Sequence, residues 1–188
     1  MSEATVGSGI HDTGLPFNAI SLNSDRHLKR TIRPTRAKQL EWAKQMAGTL
    51  CRMHDRRVLF VDVASRNMLI HPNGSIVFCD FGTSLIFPPE TDIWMAEEFG
   101  FSFATDICEL GAVIYEVVEG RQLTDFDRIA EEGGGWPSRD RLPTTDDVFL
   151  GSVIEACWTK GRFRTTHELC QMLEGGSTAD EIRDDQTS

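Results

Sequence analysis

The stretch Val58-Leu59-Phe60-Val61-Asp62-Val63-Ala64-Ser65-Arg66-Asn67-Met68-Leu69-Ile70, followed after His71 to Ser75 by Ile76-Val77-Phe78-Cys79-Asp80-Phe81-Gly82, decides how this chain is read. Two short apolar runs, Met68-Leu69-Ile70 and Ile76 to Cys79, flank His71-Pro72-Asn73-Gly74-Ser75. The Asn-Gly pair supplies the positive φ angles a tight reversal needs, so the runs are predicted to form an antiparallel hairpin. Asn67 directly precedes the first strand and Asp80 directly follows the second, which puts both at one end of the hairpin. Asp62 lies on the segment leading in, within reach of the same point. A carboxylate to orient a hydroxyl, with an amide and a second carboxylate to hold a hard divalent cation, is the equipment of phosphoryl transfer.

Outward from the hairpin the pattern is mostly helical. Pro34-Thr35 reads as a helix start with Thr35 as N-cap. Leu40, Ala43, Ala47 and Leu50, flanked by Met46 and Met53, recur at helical spacing up to about His54-Asp55. A short basic helix is predicted at 25–31, and Met1 to Ser24 reads as irregular. After Gly82 the chain is loop-like to about Ala104. Ile107, Leu110, Val113, Ile114, Val117 and Val118 then describe a strongly apolar, central helix closed by Gly120. A short helix around Phe126 to Glu132, a Gly133-Gly134-Gly135 loop, and helices at about 146–158 and 165–173 follow, then a polar tail expected to be disordered. The fold class is mainly α with a small β-hairpin (α+β), in three parts: an irregular segment 1–24, one domain over 25–174, and the tail 175–188.

On these residues the chain resembles the protein kinase family. Asp-x-x-x-x-Asn followed by Asp-Phe-Gly is similar to the family's catalytic loop and magnesium motif. The resemblance puts Asp62 in the base position and Asn67 and Asp80 in the metal positions, with Phe81 and Gly82 opening the activation segment. Arg66 resembles the phosphate-facing Arg of the tyrosine-kinase form of the loop. Leu50 to His54 is similar to the end of the helix before that loop. Thr105-Asp106-Ile107-Cys108-Glu109-Leu110-Gly111 is similar to the start of the central helix, whose Asp anchors the loop backbone in the family. Cys157-Trp158 resembles the Cys-Trp pair of a late helix. Residues 25–174 thus correspond to a kinase-like large lobe, and the resemblance implies ATP and Mg2+ as cofactors and a protein substrate or protein partner.

The departures shape the expected function. Phe60-Val61 stands where the family has His-Arg, so control through an activation-loop phosphate is not expected. Pro88-Pro89-Glu90 comes early for the Ala-Pro-Glu motif and Met95-Ala96-Glu97-Glu98 lacks its proline; Glu98 is favoured. Gly7-Ser8-Gly9 lacks a third glycine, and no lysine sits in an apolar strand to pair with nucleotide phosphates. A degenerate kinase acting as an interaction module is therefore the alternative to an enzyme. A small-molecule phosphotransferase of the aminoglycoside or choline type shares the Asp-x4-Asn loop, but Asp-Phe-Gly with the 105–111 pattern favours the protein-kinase branch. Locally, Asp106 with Glu109 could instead cap the helix.

The 188 residues suit one domain with its own core. Apolar runs such as Ala112 to Tyr115 fall far below the roughly 20 residues of a membrane helix, and the N-terminus has no apolar stretch of a signal peptide. The net charge is −10, and the cations of Arg26 to Lys38 are not interleaved with aromatics, so neither membrane nor nucleic acid is expected as a partner. Cys51, Cys79, Cys108, Cys157 and Cys170 are odd in number without a Cys-x-x-Cys pair, which argues for reduced thiols in cytosol or nucleus over a disulfide or zinc framework. His54, His71 and His167 show no metal-ligand spacing along the chain and read as structural or solvated.

Overall fold

The computed structural model describes residues 34–123, 126–132 and 136–184, with the backbone of a two-residue strand at Leu15–Pro16. The expected basic helix at 25–31 and the triglycine loop lie outside the described residues. The elements are β1 (Leu15–Pro16), α1 (Arg36–Asp55), β2 (Val58–Leu59), β3 (Met68–Ile70), β4 (Ile76–Phe78), β5 (Leu85–Ile86), β6 (Glu97–Glu98), β7 (Phe101–Ser102), α2 (Phe103–Glu119), α3 (Phe126–Glu132), α4 (Gly151–Trp158) and α5 (Thr166–Asp184). Helices carry the body and the strands form small antiparallel pairs, an α+β arrangement.

Helix α1 starts where the sequence places it: Thr35 Oγ1 accepts the Lys38 amide at 3.3 Å. Its buried stripe runs through Trp42, Ala43, Met46, Ala47 and Leu50. The β3–β4 hairpin rests on this helix. Trp42 Nε1 donates to the Gly74 carbonyl at 2.9 Å, and the Ile76 amide donates to Gln45 Oε1 at 2.8 Å, so α1 satisfies polar groups at the hairpin's closed end. The reversal differs from the expected two-residue turn. Only Gly74 takes a positive φ, +83°. Asn73 works through its side chain, whose Oδ1 accepts the Ser75 amide at 3.0 Å and the Ser75 hydroxyl at 2.7 Å.

Beyond the hairpin, the region expected to be loop up to 104 contains three short strands. β5 pairs with β2, and β6 with β7. β1 adds a third strand beside β3, within a segment expected to be irregular. Helix α2 begins at Phe103, with Ser102 as its N-cap in a reciprocal arrangement with Thr105. The Asp106/Glu109 cap considered from sequence is thereby corrected: a polar residue four positions earlier satisfies the helix end, leaving both carboxylates free to face the preceding loop. Gly120 closes the helix at φ +67°.

Helix α4 starts at Gly151, later than the expected 146, because residues 145–150 turn first: Val148 N donates to Thr145 O and Gly151 N to Val148 O. Helix α5 packs along α1 and continues to Asp184, past the expected end at 173 and through most of the stretch expected to be a disordered tail. The core joins α1, α2, α4 and α5 around Met46, Leu50, Leu110, Ile114, Ile154 and Leu169. Trp158, of the Cys-Trp pair noted above, is buried against Tyr115 at a ring separation of 5.6 Å.

The crossing of α2 and α4 depends on Gly111. A Cβ there would stand 2.5 Å from Cys157 Cβ and 3.2 Å from Trp158 Nε1, both on a packed helix that cannot yield cheaply. Gly111→Ala should therefore destabilise the fold by about 1–3 kcal/mol, a loss of several degrees in Tm by differential scanning calorimetry. An unchanged Tm would mean the helices separate freely at this point.

Candidate active site

The buried carboxylate of Asp106, on the first turn of α2, organises the loop that follows α1. Its Oδ2 accepts the Phe60 amide at 2.8 Å and its Oδ1 the Val61 amide at 2.9 Å. The same Oδ2 lies 3.0 Å from His54 Nε2, whose Nδ1 is 2.5 Å from Thr166 Oγ1. His54, at 1% exposure, is thus a structural histidine joining α1, α2 and α5. Val61 is held at φ +76°, a left-handed conformation that costs a β-branched residue about 1–2 kcal/mol. Two charge-assisted hydrogen bonds from successive amides to one carboxylate offset that cost and fix the direction in which the chain enters Asp62.

From there the loop closes on itself. Asn67 Nδ2 donates to the Asp62 carbonyl at 3.0 Å and to Asp62 Oδ2 at 2.8 Å, while the Arg66 guanidinium is bound to Asp62 Oδ1. Arg66 also reaches Asp127 of α3 at 3.4 Å. Asp62 is half-buried and Asn67 buried, at the end of a short 3₁₀ turn, Ser65–Asn67, that leads into β3. The hairpin register pairs Met68 with Phe78, and one step further the Cys79 amide donates to the Asn67 carbonyl at 2.9 Å. Asp80 is the next residue. The structure therefore brings Asp62, Arg66 and Asn67 into direct contact and sets Asp80 at the same hairpin end, exposed, at φ +60°, with Oδ1 facing the Gly82 amide at 3.4 Å. Phe81 is half exposed, its ring edge-on to Phe60 at 5.2 Å.

The donor set at this end suits a hard cation. With the Asn67 side-chain nitrogen committed to Asp62 and its backbone carbonyl to Cys79, the side-chain oxygen Oδ1 is the atom left to face a ligand, and the exposed Asp80 carboxylate supplies anionic oxygen. Beside Asp62 opens a cleft of about 690 Å³, lined by Asp62, Arg66, Thr83, Phe101, Glu109 and Asp127 among others. Glu98, favoured above for a family motif, is exposed on the β6–β7 hairpin.

Glu109 is the residue the sequence reading undervalued. It accepts the Val63 amide at 2.9 Å, so α2 grips the loop at a second point, one residue past Asp62. Burial, and then the neighbouring Asp106 carboxylate, push Glu109 well above the ordinary carboxylate range; the Val63 hydrogen bond opposes the shift only in part. A signal was present in the sequence: an acid inside an otherwise apolar helical run, three residues after Asp106 and so on the same face.

Comparison with known proteins agrees with the kinase-like reading. The chain is 30% identical over 149 residues to a mitogen-activated protein kinase kinase kinase of Caenorhabditis briggsae, an alignment covering 69% of this chain and 17% of that protein. It is 26% identical over 147 residues to a probable serine/threonine-protein kinase of Dictyostelium discoideum, covering 71% and 15%. A shorter match, 46% identical over 44 residues, is to a probable serine/threonine-protein kinase of Candida glabrata, covering 23% and 6%. The chain thus spans less than a fifth of the length of each of these relatives. No family model matches the chain. The chain is related to protein kinases and carries a kinase-like domain. Two of these relatives are named as serine/threonine kinases, whereas Arg66 resembles the tyrosine-type loop.

Two outcomes follow. Asp106→Ala strips the buried Phe60 amide, the partly buried Val61 amide and His54 of their acceptor and should cost about 3–5 kcal/mol in a denaturant titration; a loss below about 1 kcal/mol would contradict the anchoring role. Glu109 has a folded-state pKa above its unfolded one, so the native state binds the extra proton and stability falls as pH rises from the ordinary carboxylate range through the raised value. Glu109→Gln keeps an acceptor for Val63 and should flatten that part of the Tm-against-pH curve, and an unaltered curve would exclude Glu109 as its source.

Proposed function

We propose that residues 25–174 form a kinase-type large lobe whose reaction is transfer of the ATP γ-phosphoryl group to a protein hydroxyl. The observation that carries this reading is the direct joining of Asp62, Arg66 and Asn67, with Asp80 one residue beyond the Asn67–Cys79 pairing. Asn67 and Asp80 would hold Mg2+, which when bound with ATP supplies charge neutralisation at the phosphates. Asp62 orients the acceptor hydroxyl and takes its proton. Asn67, hydrogen-bonded to Asp62, keeps that carboxylate aimed, and Arg66 places positive charge at the mouth of the cleft beside it. Asp106 and Glu109 are positioning residues, acting through the loop backbone. Phe81 and Gly82 begin the segment that borders the cleft at Thr83.

A second reading, a non-catalytic interaction module, is favoured by one observation: both oxygens of the Asp62 carboxylate are engaged, by Arg66 and Asn67. We place the protein, with its reduced thiols, in the cytosol or nucleus, acting on or with proteins. Among the described residues no helix is long and apolar enough to cross a membrane.

Thermal shift with Mg-ATP, and radiolabel transfer from γ-labelled ATP to a general acceptor protein, test the assignment. The enzyme reading expects Mg-ATP to raise Tm and Asp62→Asn to lower transfer about 100-fold or more. Equal transfer by both proteins rejects Asp62 as the base. A Tm indifferent to Mg-ATP but raised by a partner protein supports the interaction module.

A further inference from the structure

Away from the cleft, helices α1 and α5 bring four metal-competent side chains together in two pairs remote in sequence. Cys51 and Asp55 are one turn apart on α1; His167 and Cys170 are one turn apart on α5. Donor atoms of Cys51, Asp55 and His167 lie within 4.8 Å of one another. Cys51 Sγ stands 3.3 Å from His167 Nδ1, and Cys170 neighbours Cys51 from the facing helix. His167 Nε2 is 2.8 Å from Asp55 Oδ1.

We propose that Cys51 Sγ and His167 Nδ1 form the core of a binding site for a thiophilic divalent cation of the zinc class, clasping α5 to α1, with Asp55 as the acceptor that orients His167, and with Cys170, one turn from His167, swinging in as the second sulfur when the ion binds. Three observations carry it. The donor chemistry, two sulfurs and an imidazole, is what zinc takes and what magnesium or calcium does not. The Cys51–His167 spacing fits: zinc–sulfur bonds near 2.3 Å and zinc–nitrogen bonds near 2.0 Å set a tetrahedral S···N edge of about 3.5 Å, against the 3.3 Å observed. The Asp55 bond to Nε2 fixes the tautomer that leaves the Nδ1 lone pair aimed at the Cys51 sulfur, the carboxylate–histidine arrangement that supports a metal-bound imidazole.

The surroundings suit a cation rather than a nucleophile. Cys51 is 7% exposed, so a nucleophile there would be shielded from any substrate of a Cys–His–Asp hydrolytic centre. His167 and Asp55 are about half exposed, which gives an ion a way in from solvent. Binding would release the two thiol protons to water. Spacing along the chain hid the site, because each helix supplies only half of it and the halves lie over 100 residues apart. The expectation of no zinc framework rested on a linear pattern that a site between two helices does not need.

Cobalt(II), a spectroscopic stand-in for zinc, tests the proposal on the full chain kept reduced with a phosphine. One equivalent should give a sulfur-to-cobalt charge-transfer band and tetrahedral visible bands, both abolished by stoichiometric zinc. Cys51→Ser and His167→Gln should lose them, and Asp55→Asn should weaken zinc affinity about 10- to 100-fold by chelator competition. His167 is on the exposed rim, so His167→Gln should keep the wild-type circular dichroism and metal-free Tm, separating lost ligation from misfolding. No charge-transfer band from the reduced protein, the same spectrum from wild type and His167→Gln, or a Cys51–Cys170 disulfide mapped in place of bound metal would each overturn it.

Discussion

A carboxylate removed from water must find donors, and Asp106 finds two backbone amides and an imidazole. That constraint shapes the rest. Because the amides belong to Phe60 and Val61, the chain is forced into a left-handed turn immediately before Asp62. Because the imidazole belongs to His54, itself close to Thr166, the end of α1 and the start of α5 are drawn to the same point. The loop's geometry is therefore set from the interior of the protein outward, with the central helix as the fixed body. Glu109 repeats the device one turn later at Val63, so the segment carrying Asp62 is held on both sides.

Electrostatics then divides the labour among the acids. Asp106 is fully buried and holds two backbone amides and an imidazole, a structural role. Asp62 is half-buried and bound by Arg66 and Asn67, which keep it oriented at the cleft. Asp80 is exposed, its contact with the amide of its own turn a long one. Glu109, largely withdrawn from water and crowded by Asp106, is the one pushed above the ordinary carboxylate range. Acids of a single chemical type thus take different roles because burial and donors differ.

Much of this was legible in the sequence. The Thr35 cap, the α1 stripe, the antiparallel hairpin and the apolar central helix follow from local chemistry and periodicity, and the structure has them. The hairpin turn was right in place but wrong in mechanism, since Asn73 acts through its side chain. What the sequence concealed was tertiary. Ser102 as the cap of α2, the strand pairings of 85–86 and 97–102, and the cluster of Cys51, Asp55, His167 and Cys170 depend on which distant elements meet. The joining of Asp62 to Asn67 was anticipated because they lie five residues apart on a loop leading into a predicted strand; the grip of Glu109 on Val63 was not, because it spans 46 positions.

The central claim is that one hairpin end, steered by the Asp106-anchored loop, gathers Asp62, Asn67 and Asp80 into a single site for a nucleotide-bound cation. Paramagnetic relaxation by Mn2+ with ATP, read amide by amide in the 15N spectrum, measures this most directly. The account predicts selective broadening at residues 62–68 and 79–82, relieved by excess Mg2+ and abolished by Asp80→Asn. Broadening centred on any other part of the chain, or none at saturating Mn2+ and ATP, would contradict it.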